Sequence, residues 1–327
     1  MADTSWQQFL TGQGAEITPQ GAKFPATEAG LRLFDLSHLG LMQVAGADTQ
    51  KLLQGQLTCD VTNLATGGGC FGAHCNPKGR MISAFHLLKE SESSVYCSMP
   101  RDQVAAATAA LGKYAVFFKA DVTDVSEKWR GFGLAGATAV EAAAGIARPG
   151  VLVDKLTDSI AVLWTATETA EALWQDLAKQ ASPASTSDWQ LELVRAGLPE
   201  VSAATAEQFI PQMINLQALG GVSFDKGCYT GQEVIARMQF RDANKKRMFR
   251  LVTTAGEQPQ PGSDVLLESG KAAGEVVTAA GNADGVELLA VLNKKDVAGD
   301  SGFLLPDGRE LALADIPYDG DFNPLEG

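Results

Sequence analysis

Eight consecutive residues, Lys226-Gly227-Cys228-Tyr229-Thr230-Gly231-Gln232-Glu233, bring together a thiol, an ammonium, a carboxylate and two glycines. A cysteine is a nucleophile, a redox group and a soft metal ligand, and it reacts and ligates as the thiolate. Thr230 and Glu233 have the T-x-x-E spacing of a capping box and run directly into Val234-Ile235-Ala236. The spacing therefore predicts a helix starting at Gly231 with Thr230 as its N-cap. Cys228 then lies just outside the positive end of that helix with Lys226 close by, and both favour the thiolate. Lys226 and Glu233 are accordingly candidates to tune or position it. The other reading is a tight turn around a buried cysteine, since free cysteine is among the most buried residue types.

The flanks of the octapeptide are equally specific. Gln208-Phe209-Ile210-Pro211-Gln212, Asn215-Leu216 and Gly220-Gly221-Val222-Ser223-Phe224 lead into it, and Ala236-Arg237 follows. Further upstream stand Gln54-Gly55-Gln56-Leu57-Thr58-Cys59-Asp60-Val61, Ala73-His74-Cys75-Asn76-Pro77-Lys78-Gly79-Arg80 and Lys113-Tyr114-Ala115-Val116-Phe117. On these segments the chain resembles the YgfZ family, folate-binding proteins related to the aminomethyltransferase (T-protein) of glycine cleavage. The resemblance covers about residues 30 to 250 and, more loosely, the rest. It implies an α+β fold: an aminomethyltransferase-like ring of two interleaved α+β subdomains plus a C-terminal antiparallel β-barrel around a central hole. On that plan residues 1–30 are a loose lead-in, 31–245 the folate-binding region and 246–327 the barrel. The implied ligand is tetrahydrofolate or a one-carbon derivative. The implied role is an accessory factor in iron–sulfur cluster assembly or repair, with assembly proteins or client enzymes, including those that modify tRNA, as partners. Cys228 is then a transient ligand or redox thiol, because one cysteine cannot hold a cluster alone.

A folate presents a flat pterin, a second ring and an anionic tail, so its site needs an apolar or aromatic wall and a few polar groups. Trp189 is the family's aromatic candidate, and a second family aromatic falls at Leu39, which supplies apolar area but no stacking. Asn76, Lys78 and Arg80 lie in a turn, where Lys78 or Arg80 either meets the tail carboxylates or simply serves the turn. Tyr114, with Lys113, is expected to open a strand and line the hole, or to be core. Tyr229 joins the candidate ligand-binding residues. Two departures bear on the chemistry. The family's aminomethyltransferases continue the segment after Asn76 into a reactive-site Asp where this chain has Ser83-Ala84, and a glutamate that reads the pterin edge is replaced by Arg195. Loss of a positioned acid or base typically costs 10²–10⁴-fold in rate, so glycine cleavage is not expected. A folate-dependent one-carbon transferase acting on tRNA or protein, and a non-enzymatic folate-sensing interaction protein, are the alternatives.

Composition narrows the class further. A chain of 327 residues with 45% hydrophobic and 20% charged residues reads as a globular protein of two or three domains. No apolar run approaches the roughly 20 residues that span a bilayer, and Met1-Ala2-Asp3-Thr4-Ser5-Trp6 lacks the pattern of a signal peptide. A cytoplasmic location is expected. A net charge of −13 argues against broad nucleic-acid binding. The local basic run Arg237, Arg241, Lys245, Lys246, Arg247 and Arg250 reads as a solvated connector or as an anion dock. Cys59, Cys70, Cys75, Cys97 and Cys228 do not suggest a disulfide framework in a reducing compartment. With three histidines (His38, His74, His86) and no second C-x-x-C pair, no resident metal site is expected. His74 reads as a structural hydrogen-bonder.

The elements that must position these residues follow from the pattern. A short helix follows Asp48-Thr49, strands run over 81–88 and 95–99, and an Ala-rich helix covers 101–111 before a strand-like run from Tyr114 to Val125. Strands at 129–135 and 160–164 precede an amphipathic helix at 168–180, and Asp188 opens a helix that stops at Gly197-Leu198-Pro199. Beyond Arg247, short strands between Gly, Pro and Asp turns predict a small antiparallel barrel.

Overall fold

The computed structural model describes residues 4–26, 30–146, 148–240, 244–282, 284–299 and 301–321. Its framework is a pair of five-stranded sheets and a closed barrel. The first sheet runs in the order Val151–Thr157, Ile160–Ala166, Trp129–Ala135, Arg32–Asp35, Ser182–Ala184. The second runs Gly69–Cys75, Met81–Ser91, Ser94–Pro100, Leu39–Ala45, Asp121–Asp124. The chain leaves the first sheet after Asp35, builds the whole second sheet, and returns at Trp129. The two halves are therefore interleaved in sequence. The barrel closes through Lys246–Thr253, Val286–Asn293, Ala272–Gly281, Asp264–Leu267, Phe303–Leu304 and Glu310–Ala314.

The helix Thr186–Arg195 joins these layers, and its sequence explains its bounds. Ser185 is the N-cap, and with Asp188 at the third position it forms a reciprocal capping box. At the other end Leu198 N–H donates to Leu193 O and Gly197 N–H to Val194 O, around Gly197 at φ +68°. That is the Schellman closure, in which the left-handed residue is strained unless it is glycine. A Cβ on Gly197 would also come within 2.7 Å of the Tyr318 ring. Trp189 and Leu193 pack towards Phe34, Leu41, Val162 and Trp164, between the two sheets. Leu191 and Val194 pack towards Met248, Val277 and Leu289 of the barrel. Burying apolar side chains of this size contributes about 1.5–3 kcal/mol each, so one helix ties the cavity wall to the barrel.

Three segments differ from the sequence pattern. The N-terminal segment is not loose where it is described: Thr4–Gly12 is a helix, and Glu16–Thr18 pairs with Gly21–Lys23. Trp6 and Leu10 are buried against Phe132 and Trp174, and the Trp6 indole donates to Asp35 Oδ1 at 2.8 Å. Its contacts are made far along the chain, so local periodicity gives no sign of them. The Ala-rich helix runs to Ala115, through Gly112, so Tyr114 closes a helix and does not open a strand. Only Asp121–Asp124 is a strand in that stretch. The motif helix spans Gln232–Phe240 and begins after Gly231, which adopts φ +85°. Thr230 donates its hydroxyl to Gln56 Oε1, 3.2 Å away, where a capping box would have used it at the helix.

Candidate functional site

The cavity between the two sheets is walled by Trp189, Leu39, Phe71 and Trp164, with Ala84 and Leu193 beside them. Trp189 is fully buried, its ring centroid 5.4 Å from that of Phe34, and Gly133 leaves the space its six-membered ring fills. The indole nitrogens of Trp164 and Trp189 are both buried without a hydrogen-bond partner. An unpaired buried donor is costly, so these two N–H groups are suited to a ligand that accepts from them. Ala84 on this wall and Ser83, buried behind it with an unpartnered hydroxyl, put no charge where the aminomethyltransferase acid is expected.

The cavity does hold charge elsewhere, at residues without a motif. Glu200 follows the Gly197 turn and reaches the wall, where burial, with Asp102 nearby, pushes its carboxyl from 4.5 up to about 7. His86 Nδ1 pairs with Asp154 Oδ2, joining the strand Met81–Ser91 of one sheet to Val151–Thr157 of the other. Both line the cavity. An acid inside the otherwise apolar run Val151-Leu152-Val153-Asp154 was the one sequence signal available for this pair.

Cys228 lies elsewhere, exposed on the surface in a shallow hollow shared with Gln50, Lys51 and Gln54. The expectation of a buried cysteine in a tight turn is thus corrected: the loop turns its thiol outward. Lys226 does the opposite. Its ammonium is buried, donating to Leu57 O at 2.8 Å and Cys59 O at 2.7 Å, and it sits 5.1 Å from the Tyr229 ring centroid. Desolvation brings Lys226 down to about 8. It is a latch between the motif loop and residues 57–59, and not an ammonium facing the Cys228 thiol. The same seam carries Ser223 N–H to Thr58 O, Thr58 Oγ1 to Gly221 O and Thr230 N–H to Gly55 O. Gly221 packs closely on Leu216 and Phe71, two residues of the cavity wall. The wall and the thiol loop are therefore one continuous packed unit. Glu233 is exposed in the first turn of the helix Gln232–Phe240.

The remaining candidates are dispersed. Asn76 Oδ1 accepts the backbone N–H groups of Lys78 and Arg80 at 2.9 and 3.1 Å, and its amide donates to Glu207 Oε2 at 2.6 Å. Arg80 donates to Gln208 O. These bonds serve the turn, and none of Asn76, Lys78 and Arg80 lines the Trp189 cavity. Tyr114 lies edge-on to His74, with centroids 5.9 Å apart, away from that cavity. His74 is no hydrogen-bonder: both ring nitrogens lack partners, and burial lowers it to about 4. Arg195 is exposed and ion-paired to Glu287 at 2.7 Å, against the barrel. Tyr229 is buried beneath Lys226, and burial raises its phenol. The basic run is broken up by Arg250 pairing with Glu287 and Arg247 with Asp321, while Arg241 lies outside the described residues. Among the described residues no group of three or more His, Cys, Asp or Glu side chains could hold a metal ion, and no helix is long and apolar enough to cross a membrane.

Comparison with known proteins places this geometry. Residues 19–152 match the GCVT N-terminal domain. The tRNA-modifying protein YgfZ of Enterobacter sp. (strain 638) is 35% identical over 306 residues, covering 88% of this chain and 93% of that protein. The tRNA-modifying protein YgfZ of Escherichia coli O157:H7 (strain EC4115 / EHEC) is 34% identical over 322 residues, covering 92% and 98%. Among solved structures, the glycine cleavage system aminomethyltransferase T from Bartonella henselae superposes with a TM-score of 0.71 at 16% identity, over 95% of this chain and 96% of that one. At that identity the likeness establishes the aminomethyltransferase fold alone. Carrying that fold, and matching both tRNA-modifying relatives along most of its length, this chain belongs to the YgfZ family.

Proposed function

We propose that this protein binds tetrahydrofolate, or a one-carbon derivative, in the cavity walled by Trp189 and Leu39. In this reading it serves tRNA modification as an accessory factor in assembly or repair of iron–sulfur clusters in client enzymes, with Cys228 as its working thiol. The observation that carries the reading is the seam from the cavity wall through Gly221 to the motif loop, which ends in an exposed Cys228. A ligand that orders Phe71 and Leu216 thereby orders the thiol loop. The cavity fits a folate ring system in kind. Three aromatic walls suit a flat heterocycle, and two unpaired indole donors and the Glu200 carboxylate suit its polar edge. A folate bound there supplies a carrier for one-carbon units, while this chain's residues hold the ring and exclude water.

The Ser83-Ala84 pair disfavours the one-carbon transferase alternative, because neither side chain supplies a charge where the family's acid is expected. Calorimetric titration of tetrahydrofolate into wild type and Trp189→Phe tests the reading. The expected result is saturable binding that weakens several-fold in the variant, which keeps an aromatic core side chain. Absence of saturable binding by wild type refutes it. Cys228→Ala is expected to keep ligand affinity and to lose support of client tRNA-modifying activity. Full client activity in that variant removes the thiol from the function.

A further inference from the structure

His86 differs from the other two histidines in having an acid beside it. The ring nitrogens of His38 and His74 are all buried and unpartnered, and desolvation lowers each histidine to about 4. His86 Nδ1 is likewise without a hydrogen bond, but it lies in ion-pair contact with Asp154 Oδ2, with side-chain exposures of 10% and 3%. The pair has a built place. Phe71 lies edge-on to the imidazole with centroids 4.5 Å apart, which fixes the ring plane. Gly69 on the neighbouring strand leaves the space: a Cβ there would collide with Asp154 Oδ1 and come within 2.9 Å of His86 Cε1. The two residues come from different sheets and meet at the wall that also carries Trp164, Trp189 and Glu200. A buried pair across a sheet junction is no better for stability than an apolar contact of the same volume. Its position on the cavity wall is therefore the feature to explain.

We infer that His86, oriented by Asp154, is the cavity's proton-exchanging group, using Nε2 to meet a nitrogen or carbonyl on the edge of a bound flat N-heterocycle. A carboxylate on one imidazole nitrogen fixes the tautomer and leaves the other nitrogen to accept or donate. The inference rests on the folate reading for the identity of the ligand, and on geometry for the residue. Glu200 lies on the same wall, its carboxyl pushed up to about 7 by burial and by Asp102 nearby. Asp154 itself faces the Cys70 thiol as well as His86.

The test is calorimetry of tetrahydrofolate at pH 7 in phosphate and in Tris, whose ionisation enthalpies differ, so that the heat difference counts protons exchanged on binding. Wild type, His86→Gln and Asp154→Asn are compared. The expected result is a change in the proton count for His86→Gln and Asp154→Asn, with affinity weakened ~10–100-fold, the range for a hydrogen bond involving a charged group. Ring-nitrogen NMR signals of His86 should also move when ligand is added to wild type. Ligand binding with the same proton count and affinity in His86→Gln, or with unmoved His86 signals, overturns the inference alone. Absence of binding by wild type overturns the folate reading together with it.

Discussion

Glu200→Gln exchanges one oxygen for an amide group at nearly constant volume and removes the charge from the cavity wall. In the folded protein the carboxyl rises from 4.5 to about 7, chiefly because burial penalises its charged form and secondarily because Asp102 lies near. Between those two values the folded chain holds a proton that the unfolded chain has released. Stability therefore falls as pH rises through that window, and the loss is complete above the folded value. At full burial a rise of that size corresponds to about 3 kcal/mol. Glu200 is only partly buried, so solvent screening leaves roughly 1–2 kcal/mol. Glutamine does not titrate. The variant should match wild type near pH 4 and exceed it by that amount at pH 8. Urea unfolding followed by tryptophan fluorescence at pH 4.5, 6 and 8 reads the difference as a shift in midpoint. The same substitution should weaken ligand binding, because a carboxylate that is strained when the cavity is empty becomes useful when a ligand offers N–H donors. Equal midpoints at every pH, or a variant less stable at pH 8, would mean that the carboxylate is solvated or already paired, and would refute the reasoning.

Gly231→Ala places a Cβ 2.7 Å from Asn76 O at a residue with φ +85°. Left-handed strain alone costs about 1–2 kcal/mol, and because the obstacle is backbone the loss should exceed that in urea unfolding; unchanged stability would contradict the described turn. Lys226→Met keeps the buried stem but orphans Leu57 O and Cys59 O, each worth about 1–3 kcal/mol. Relief of the ammonium's desolvation offsets part of this, so a net loss of ~1–3 kcal/mol at pH 7 is expected. Because the ammonium points inward, the rate of Cys228 alkylation should change by less than about twofold, far short of a one-unit thiol shift; a tenfold fall would restore Lys226 as a thiolate-tuning residue.

The thiol half of the site was legible because its residues are contiguous. The octapeptide and its flanks announce a specific turn, and the turn's geometry demands the glycine at position 231. What the pattern did not convey is direction. Residues two apart in a loop can point oppositely, and here Lys226 turns inward while Cys228 turns outward. The T-x-x-E spacing also suggested a cap at Thr230, whose hydroxyl was drawn to Gln56 by the seam between two distant segments. Local preference lost to a tertiary hydrogen bond at that point. The helix Thr186–Arg195, with both its caps inside the sequence window, was nearly correct, displaced only in that Ser185 and not Asp188 is the N-cap.

The ligand half was mostly illegible for a related reason. Trp189 and Leu39 line the cavity between the sheets, but His86 and Asp154 become neighbours only when the two interleaved sheets meet. Arg195 and Glu200 show how a substitution read alone can mislead. An arginine in place of a pterin-reading acid suggests a cavity of altered charge. Yet Arg195 sits on the outer side of its helix, held by Glu287 of the barrel, and never enters the cavity. Five residues later, beyond the left-handed Gly197, the chain has turned back toward the wall and carries an acid there. The cavity wall carries its carboxylate beyond the helix C-terminus, at Glu200, and not at position 195. A single helical turn decides which side chains face a cavity, so charge at a site is conserved or lost by geometry and cannot be counted along the sequence.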